Sequence, residues 1–89
     1  MKIVYDPPKR RANLQKHGLD FAALEDGVFF DTALVREAKA GRFQAIGRFE
    51  DGTIAVVFAL LGSEGLSIIS MRPASAKERS FFDAYLQGS

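Results

Sequence analysis

Arg72 stands where a predicted strand passes directly into a predicted helix, and this placement suits anion chemistry. The segment 66–71 is rich in apolar and β-branched residues, and Pro73 cannot donate to a ladder, so the strand should end near Arg72. Ser75 and Glu78 have the spacing of a capping box that opens a helix. Arg72 would therefore lie beside free helix N–H groups, which favour phosphates. The alternative is an ordinary arginine at the rim, in a solvated ion pair.

A second group of polar residues falls on one face of a predicted first helix. Lys9, Asn13, Lys16 and His17 follow the spacing i, i+4, i+7 and i+8, so they share one side of that helix. A histidine at a helix C-terminus is favoured as a cation by the macrodipole, and such a group can pass a proton at neutral pH. The alternative is that Lys16 and His17 only satisfy the last carbonyls of the helix before Gly18.

The elements that must position these residues form an α+β arrangement. Runs of strand-forming residues separated by turn signals predict strands at 2–5, 29–37, 42–49, 53–61 and 66–71. Start and stop signals predict helices at 7–17, 21–26 and 76–87. The sequence therefore predicts two N-terminal helices, a mainly antiparallel β-sheet and one C-terminal helix packed on it.

Short polar residues and glycines mark the ends of the first two helices. Asp6 and Asp20 precede these helices and are positioned to cap them, and Pro7 suits the first helical position. Gly18 and Gly27 follow the helices and should end them.

The composition predicts one small domain, spanning residues 1–89. The length leaves no room for a second domain, and a net charge of +1 does not by itself imply nucleic-acid binding. Positive charge is nevertheless concentrated in 1–17, ahead of an acidic 18–37, so one surface can attract a polyanion. The chain has no cysteine, and its longest apolar run, 54–61, is too short to cross a bilayer. We therefore expect a soluble, cytoplasmic protein with no membrane partner.

Several short motifs occur in an order and at separations that are typical of one protein family. They are Val4-Tyr5-Asp6-Pro7, Lys9, Asn13, Lys16-His17-Gly18, Phe21, Phe29-Phe30-Asp31, Arg42-Phe43, Gly47 and Ile68-Ile69-Ser70-x-Arg72-x-Ala74-x-x-x-Glu78-Arg79. On these residues the chain resembles the BrnT family of toxins, over about 3–85. Tyr5, Ala40-Gly41, Met71 and Phe82 depart from the residues usual in that family.

The resemblance implies a type II toxin with a RelE-like α+β fold, acting as an endoribonuclease that suppresses translation. Its partners would be an RNA substrate and a cognate antitoxin with a ribbon-helix-helix domain. The complex would repress its own operon, with operator DNA contacted only through the antitoxin. A homodimer or a hetero-oligomer would be compatible with this role.

Cutting RNA without a metal needs a base for the 2′-OH, cations for the growing phosphorane charge and an acid for the leaving 5′ oxygen. With one histidine and no cysteine we expect neither a metal nor a cofactor. As a hypothesis, Arg72 holds the scissile phosphate while Lys16 and Arg79 add positive charge. His17 or Glu78 then moves the proton, although Glu78 also has the capping box as an explanation. The remaining RNA-binding candidates are Lys9, Asn13 and Arg42, of which Arg42 could equally pair with an acidic residue.

Two alternatives stay open from the sequence. A toxin-like scaffold without its reactive groups could be a catalytically inactive protein-binding module that acts only through its partner. The apolar stripe of the last helix, formed by Phe81, Phe82, Tyr85 and Leu86, is either core or a surface for an antitoxin or a second copy.

Overall fold

A five-stranded sheet lies at the centre of the fold, which is seen here in a computed structural model. The strands are β1 (Lys2–Tyr5), β2 (Leu34–Glu37), β3 (Phe43–Phe49), β4 (Gly52–Leu61) and β5 (Gly65–Pro73), in the spatial order β1-β5-β4-β3-β2. β1 runs parallel to β5, and the other neighbouring strands are antiparallel. The structure describes residues 1–88, so Ser89, the last residue of the predicted domain 1–89, lies outside the described residues.

Three α-helices accompany the sheet. They are α1 (Pro7–His17), α2 (Val28–Thr32) and α3 (Ala76–Gly88), and two short 3₁₀ turns lie at Phe21–Leu24 and Lys39–Gly41. The predicted α+β class, with a mainly antiparallel sheet and a C-terminal helix, is confirmed. Over residues 1–88, no helix is long and apolar enough to cross a membrane.

The helix predicted at 21–26 is only the 3₁₀ turn Phe21–Leu24, although Asp20 caps it as expected by accepting from the Ala22 N–H at 3.0 Å. Gly18 ends α1 in the left-handed conformation, also as expected. Asp6 precedes α1 with an extended backbone, but its side chain makes no capping bond.

The strand predicted at 29–37 is wrong in its first half, because Val28–Thr32 forms α2. Gly27 adopts a φ of 77°, and the Asp26 carboxylate accepts from the Val28 N–H at 3.0 Å, so the chain turns into a helix at this point. Phe29 can then pack against β3 at Gly47, where a Cβ atom would come within 3.0 Å of the Phe29 ring. Tertiary packing therefore overrides the strand preference of the two phenylalanines.

The two faces of the sheet bury different sets of side chains. On the core face, Phe21 and Leu24 from the 3₁₀ turn and Phe29 from α2 pack against Val56 and Met71 of the sheet. On the α3 face, a smaller cluster joins Phe82 of α3 to Ile46, Ala55 and Ala74. The sheet thus has a thick core on one side and a partly covered surface on the other.

A β-bulge in β5 decides which side chains reach the α3 face. Val57 of β4 pairs with Ser70, whereas the next residue, Phe58, pairs with Ile68, so Ile69 is a β-bulge. Beyond this bulge Met71 is fully buried on the core face, and Arg72 projects from the α3 face opposite Ala55.

Asn13 of α1 closes the edge of β5 where β1 ends. The pairing with β1 stops at Ile68, which leaves the later part of that edge without a strand. Asn13 accepts from the Met71 N–H at 3.1 Å and donates to the Met71 carbonyl at 2.8 Å, as a neighbouring strand would. A further bond to the Leu19 carbonyl, at 3.1 Å, completes the contacts of this buried amide.

A second set of polar contacts fixes the loop after α1. Arg10 donates two hydrogen bonds to Asp20, at 2.7 and 2.9 Å, and Tyr5 donates from its hydroxyl to Glu25. The Arg10 guanidinium and the Ala22 N–H hold the pKa of Asp20 at about 2. These contacts attach α1 and the 3₁₀ turn to the end of β1.

Candidate functional site

Arg72 and Glu78 form a two-pronged ion pair at the point where β5 leads into α3. Arg72 donates from Nη1 to Oε1 and from Nη2 to Oε2 of Glu78, both at 2.7 Å. The Glu78 side chain is 10% exposed and the Arg72 side chain 37% exposed. The carboxylate is therefore buried, while more than a third of the Arg72 side chain is exposed to solvent.

The predicted capping box at the start of α3 is confirmed. Ser75 Oγ accepts from the Glu78 N–H at 3.1 Å, and Glu78 Oε1 accepts from the Ser75 N–H at 2.8 Å. Glu78 is therefore the structural cap and the partner of Arg72 at the same time.

Glu78 has no free capacity to act as a base near neutral pH. Each of its oxygens accepts two hydrogen bonds, from Arg72 and Ser75 at Oε1 and from Arg72 and Gln44 at Oε2. The Arg72 guanidinium, and after it the Ser75 N–H and the Gln44 amide, hold the pKa of Glu78 at about 2 although burial opposes this. Such a carboxylate orients its neighbours and does not take up a proton.

The hydrogen bonds of Arg72 leave one edge of its guanidinium open. Nη1 also donates to the Pro73 carbonyl, at 3.3 Å. Among residues 1–88, no acceptor is bonded to the Nε–H or to the second hydrogen of Nη2. These two N–H groups point in parallel from the same edge, which is the fork that matches a phosphate.

Gln44 and Arg36 extend this site, and no motif in the sequence identifies them. Gln44 on β3 donates to Glu78 Oε2 at 2.8 Å, and Arg36 on β2 donates from Nε to Gln44 Oε1 at 2.9 Å. The Arg36 guanidinium lies over the ring of Phe81, 5.0 Å from its centroid. Only the pairing of Arg36 with Gln44 in the β2–β3 register could have shown that they share a face.

The basic residues of α1 line a groove beside β5. Lys9, Asn13, Lys16 and His17 lie along it, and Ile69 and Ser70 form its opposite wall, enclosing about 270 Å³. This confirms that the four α1 residues share one face. Within the described chain the side chains of Lys9, Lys16 and His17 have no hydrogen-bonding partner, and Gly18 alone closes the helix by donating to the Leu14 carbonyl at 2.8 Å.

The groove and the Arg72 site meet on β5. Ser70 lines the groove, and it lies two residues before Arg72 on the same side of the strand, since both follow the bulge. Asn13 differs from its three neighbours, because its amide is buried and bonded to the backbone. Asn13 therefore attaches α1 to β5, and its amide NH₂ group already donates to two backbone carbonyls.

The two remaining candidates lie at the rim. Arg79 is exposed on the first turn of α3 and donates to the Ala74 carbonyl at 2.8 Å. Arg42 is exposed just before β3, and its side chain has no polar partner in the part of the chain that the structure describes. Neither side chain is hydrogen-bonded to the side chain of Arg72 or Glu78.

The apolar stripe of α3 is divided between the core and the surface. Phe82 is 2% exposed and belongs to the cluster on the α3 face. Phe81, Tyr85 and Leu86 are 45%, 42% and 41% exposed. Only one of the four residues is therefore core.

A partly exposed arginine is held at a strand end by a buried glutamate of the capping box, beside a groove lined by basic side chains without hydrogen-bonding partners in the described chain. The model of the family "Ribonuclease toxin, BrnT, of type II toxin-antitoxin system" matches residues 5–78. The fold is similar to the 1.1 Å crystal structure of the Brucella abortus ribonuclease toxin BrnT, with a TM-score of 0.78 and 55% sequence identity over 84% of this chain and 97% of that chain. A search of curated proteins found no match. The chain belongs to the BrnT family of ribonuclease toxins, and this membership implies a protein antitoxin as its partner.

Proposed function

We propose that this protein is a metal-independent endoribonuclease that inhibits translation by cutting RNA. The observation that carries the proposal is the geometry of Arg72: Glu78 fixes one fork of the guanidinium, and the parallel Nε–H and Nη2–H of the other edge remain open. A phosphate accepts two such bonds side by side. In this proposal Arg72 binds the scissile phosphate and stabilises the charge that grows on it.

The α1 groove supplies the rest of the chemistry in this proposal. His17 takes the proton from the RNA 2′-OH, whose oxygen attacks the phosphorus while the bond from phosphorus to the 5′ oxygen breaks. The leaving oxygen then takes a proton from water and His17 releases its proton to the solvent, so the products are a 2′,3′-cyclic phosphate and a free 5′-OH. Lys16 and Lys9 add positive charge along the groove, and Arg79 and Arg42 contact more distant phosphates. His17 has this role because Glu78, the other candidate, is held as a carboxylate with a pKa of about 2.

The identity of the partner is a further part of the proposal, supported by the family membership. The antitoxin has a ribbon-helix-helix domain, and the complex represses its operon through antitoxin contacts with operator DNA. The protein acts in the cytoplasm, as a RelE-like toxin whose single domain spans 1–89.

The test uses purified protein and a labelled RNA in the presence of EDTA, together with tightly controlled expression in cells. Wild type should cleave the RNA and arrest growth, and co-expression of the antitoxin should restore growth. Arg72→Ala should lower cleavage about 100-fold or more, since removing one group that stabilises a growing negative charge has effects of that size. Arg11→Ala is the matched control, because Arg11 is an exposed arginine of α1 that does not line the groove.

Three outcomes would separate the alternatives. A folded Arg72→Ala protein that cleaves like wild type would refute the role of Arg72. Loss of cleavage in EDTA that returns with a divalent cation would refute metal independence. Wild-type protein that binds its antitoxin but neither cleaves RNA nor arrests growth would instead identify a catalytically inactive protein-binding module.

A further inference from the structure

We propose that Gln44 is a positioning residue, which orients Glu78 and through it holds the open edge of Arg72 toward the RNA phosphate. This inference rests on the proposed function, since it takes Arg72 as the phosphate ligand. Gln44 lies on β3, across the sheet from β5, and reaches Glu78 Oε2 at 2.8 Å. The same oxygen accepts from Arg72 Nη2 at 2.7 Å, so one atom of Glu78 joins Gln44 to the guanidinium.

Glu78 is attached at two points, and Gln44 supplies the second of them. Oε1 is fixed to the start of α3 by the Ser75 N–H at 2.8 Å, and Oε2 is fixed to the sheet by Gln44. Two attachments define the plane of the carboxylate, and the bidentate pair transfers that plane to the Arg72 guanidinium. Without Gln44, the carboxylate would be held by the protein backbone at Oε1 alone and could rotate together with Arg72.

Arg36 determines which end of the Gln44 amide faces Glu78. A guanidinium has donors only, so its bond at 2.9 Å requires the carbonyl oxygen of Gln44 to point at Arg36. The NH₂ group of Gln44 must then point at Glu78, where it meets an acceptor. Only one orientation of the Gln44 amide therefore pairs every donor with an acceptor along Arg36, Gln44, Glu78 and Arg72.

A positioning role of Gln44 can be distinguished from a structural role. Gln44 is half-buried, and the capping box and both bonds between Glu78 and Arg72 involve no atom of Gln44. Removing the Gln44 amide should therefore leave α3 folded and Arg72 still paired. What changes is the orientation of the pair, which would affect the rate of the chemical step more than RNA binding.

Two substitutions of Gln44 test this inference in the full-length protein. Gln44→Met keeps the length of the side chain and removes both hydrogen bonds. Gln44→Glu keeps the acceptor for Arg36 but presents an oxygen to Glu78, so it separates the two contacts. Gln87→Met, at the exposed end of α3, is the matched control.

The readouts are kcat and KM for RNA cleavage, and NMR detection of the Arg72 Nε–H and its guanidinium rotation without RNA. Both Gln44 variants should lower kcat about tenfold or more, with a smaller change in KM, since misplacing a catalytic group reduces the rate by this order. In the same variants the Arg72 guanidinium should rotate faster than in wild type. The control should match wild type in both measurements.

The outcomes distinguish this inference from the proposed function. Wild-type kcat and an unchanged Arg72 signal in both Gln44 variants, together with an inactive Arg72→Ala protein, would overturn the role of Gln44 and leave that of Arg72. An active Arg72→Ala protein would overturn both, because Gln44 acts through Arg72. A loss of kcat together with faster guanidinium rotation in both variants would support the inference.

Discussion

Replacing Glu78 with glutamine keeps the shape of the side chain but removes an acceptor that two donors share. The oxygen of the new amide can still accept from the Ser75 N–H, since glutamine also serves in a capping box. The NH₂ group then takes the place of Oε2 and faces Nη2 of Arg72 and Nε2 of Gln44, which are both donors. Gln44 cannot relieve this by turning its amide, because Arg36 would then face an NH₂ group.

The expected loss of stability follows from the number and exposure of these contacts. Two hydrogen bonds to a charged acceptor disappear, and each such bond contributes about 1.5–3 kcal/mol. Water can replace part of the Arg72 contact, because that side chain is 37% exposed, whereas the position of Glu78 is only 10% exposed. We therefore expect Glu78→Gln to lower the free energy of unfolding by about 2–3 kcal/mol at pH 7.

Urea denaturation of wild type and Glu78→Gln between pH 7 and pH 3 measures this effect. The folded-state pKa of Glu78 is lowered to about 2, so its stabilising contribution is present above its unfolded pKa of about 4.3 and is lost as the pH falls toward 2. The difference between the two proteins should therefore shrink below about pH 4.3. Asp20, whose pKa is also about 2, titrates in both proteins and cancels in the comparison.

Glu37→Gln is the control for this experiment, since Glu37 is exposed on β2 and its side chain has no polar partner within residues 1–88. A Glu78→Gln protein within about 0.5 kcal/mol of wild type, the range of an ordinary surface change, would falsify the four-bond account of Glu78. A difference that stays constant from pH 7 to pH 3 would contradict the lowered pKa.

Three further changes test how the fold is built. Gly47→Ala should lower the free energy of unfolding by about 1–3 kcal/mol in urea, because its Cβ would come within 3.0 Å of the Phe29 ring. Asn13→Ala should lower the free energy of unfolding by about 2–4 kcal/mol. It should also speed hydrogen exchange at the Met71 N–H, which loses its acceptor. Unchanged exchange at this N–H would contradict the contact between Asn13 and the edge of β5. Glu50→Gly should raise the free energy of unfolding in urea by about 0.5–1 kcal/mol. Glu50 has a φ of 54° in the β3–β4 turn, and glycine adopts this conformation without steric cost.

Local signals in the sequence predicted the start of α3 and the end of α1 correctly. Ser75 and Glu78 form the capping box, and Gly18 has the left-handed conformation that ends α1. Each of these features depends on residues within a few positions of one another. Such features can be inferred from spacing alone.

Features that depend on distant residues were predicted poorly. The segment 28–32 has strand-forming residues but becomes helical, because Phe29 fits against a glycine in β3. The hydrogen bonds that Asn13 makes with Met71, 58 residues away, were not predicted either. Gln44 and Glu78 are separated by 34 residues, and only the completed sheet brings them together.

The bulge at Ile69 makes the pairing of β5 as important as its composition. Alternation counted from Leu66 and Ile68 on an unbroken strand would place residue 72 on the core face and residue 71 on the opposite face. If the pairing stayed regular through Ile69, Met71 and Arg72 would exchange environments, placing a guanidinium in the core and a thioether at the surface. Deleting Ile69 would instead leave both residues on their present faces, because the bulge makes Ile69 and Ser70 count as one step of the alternation.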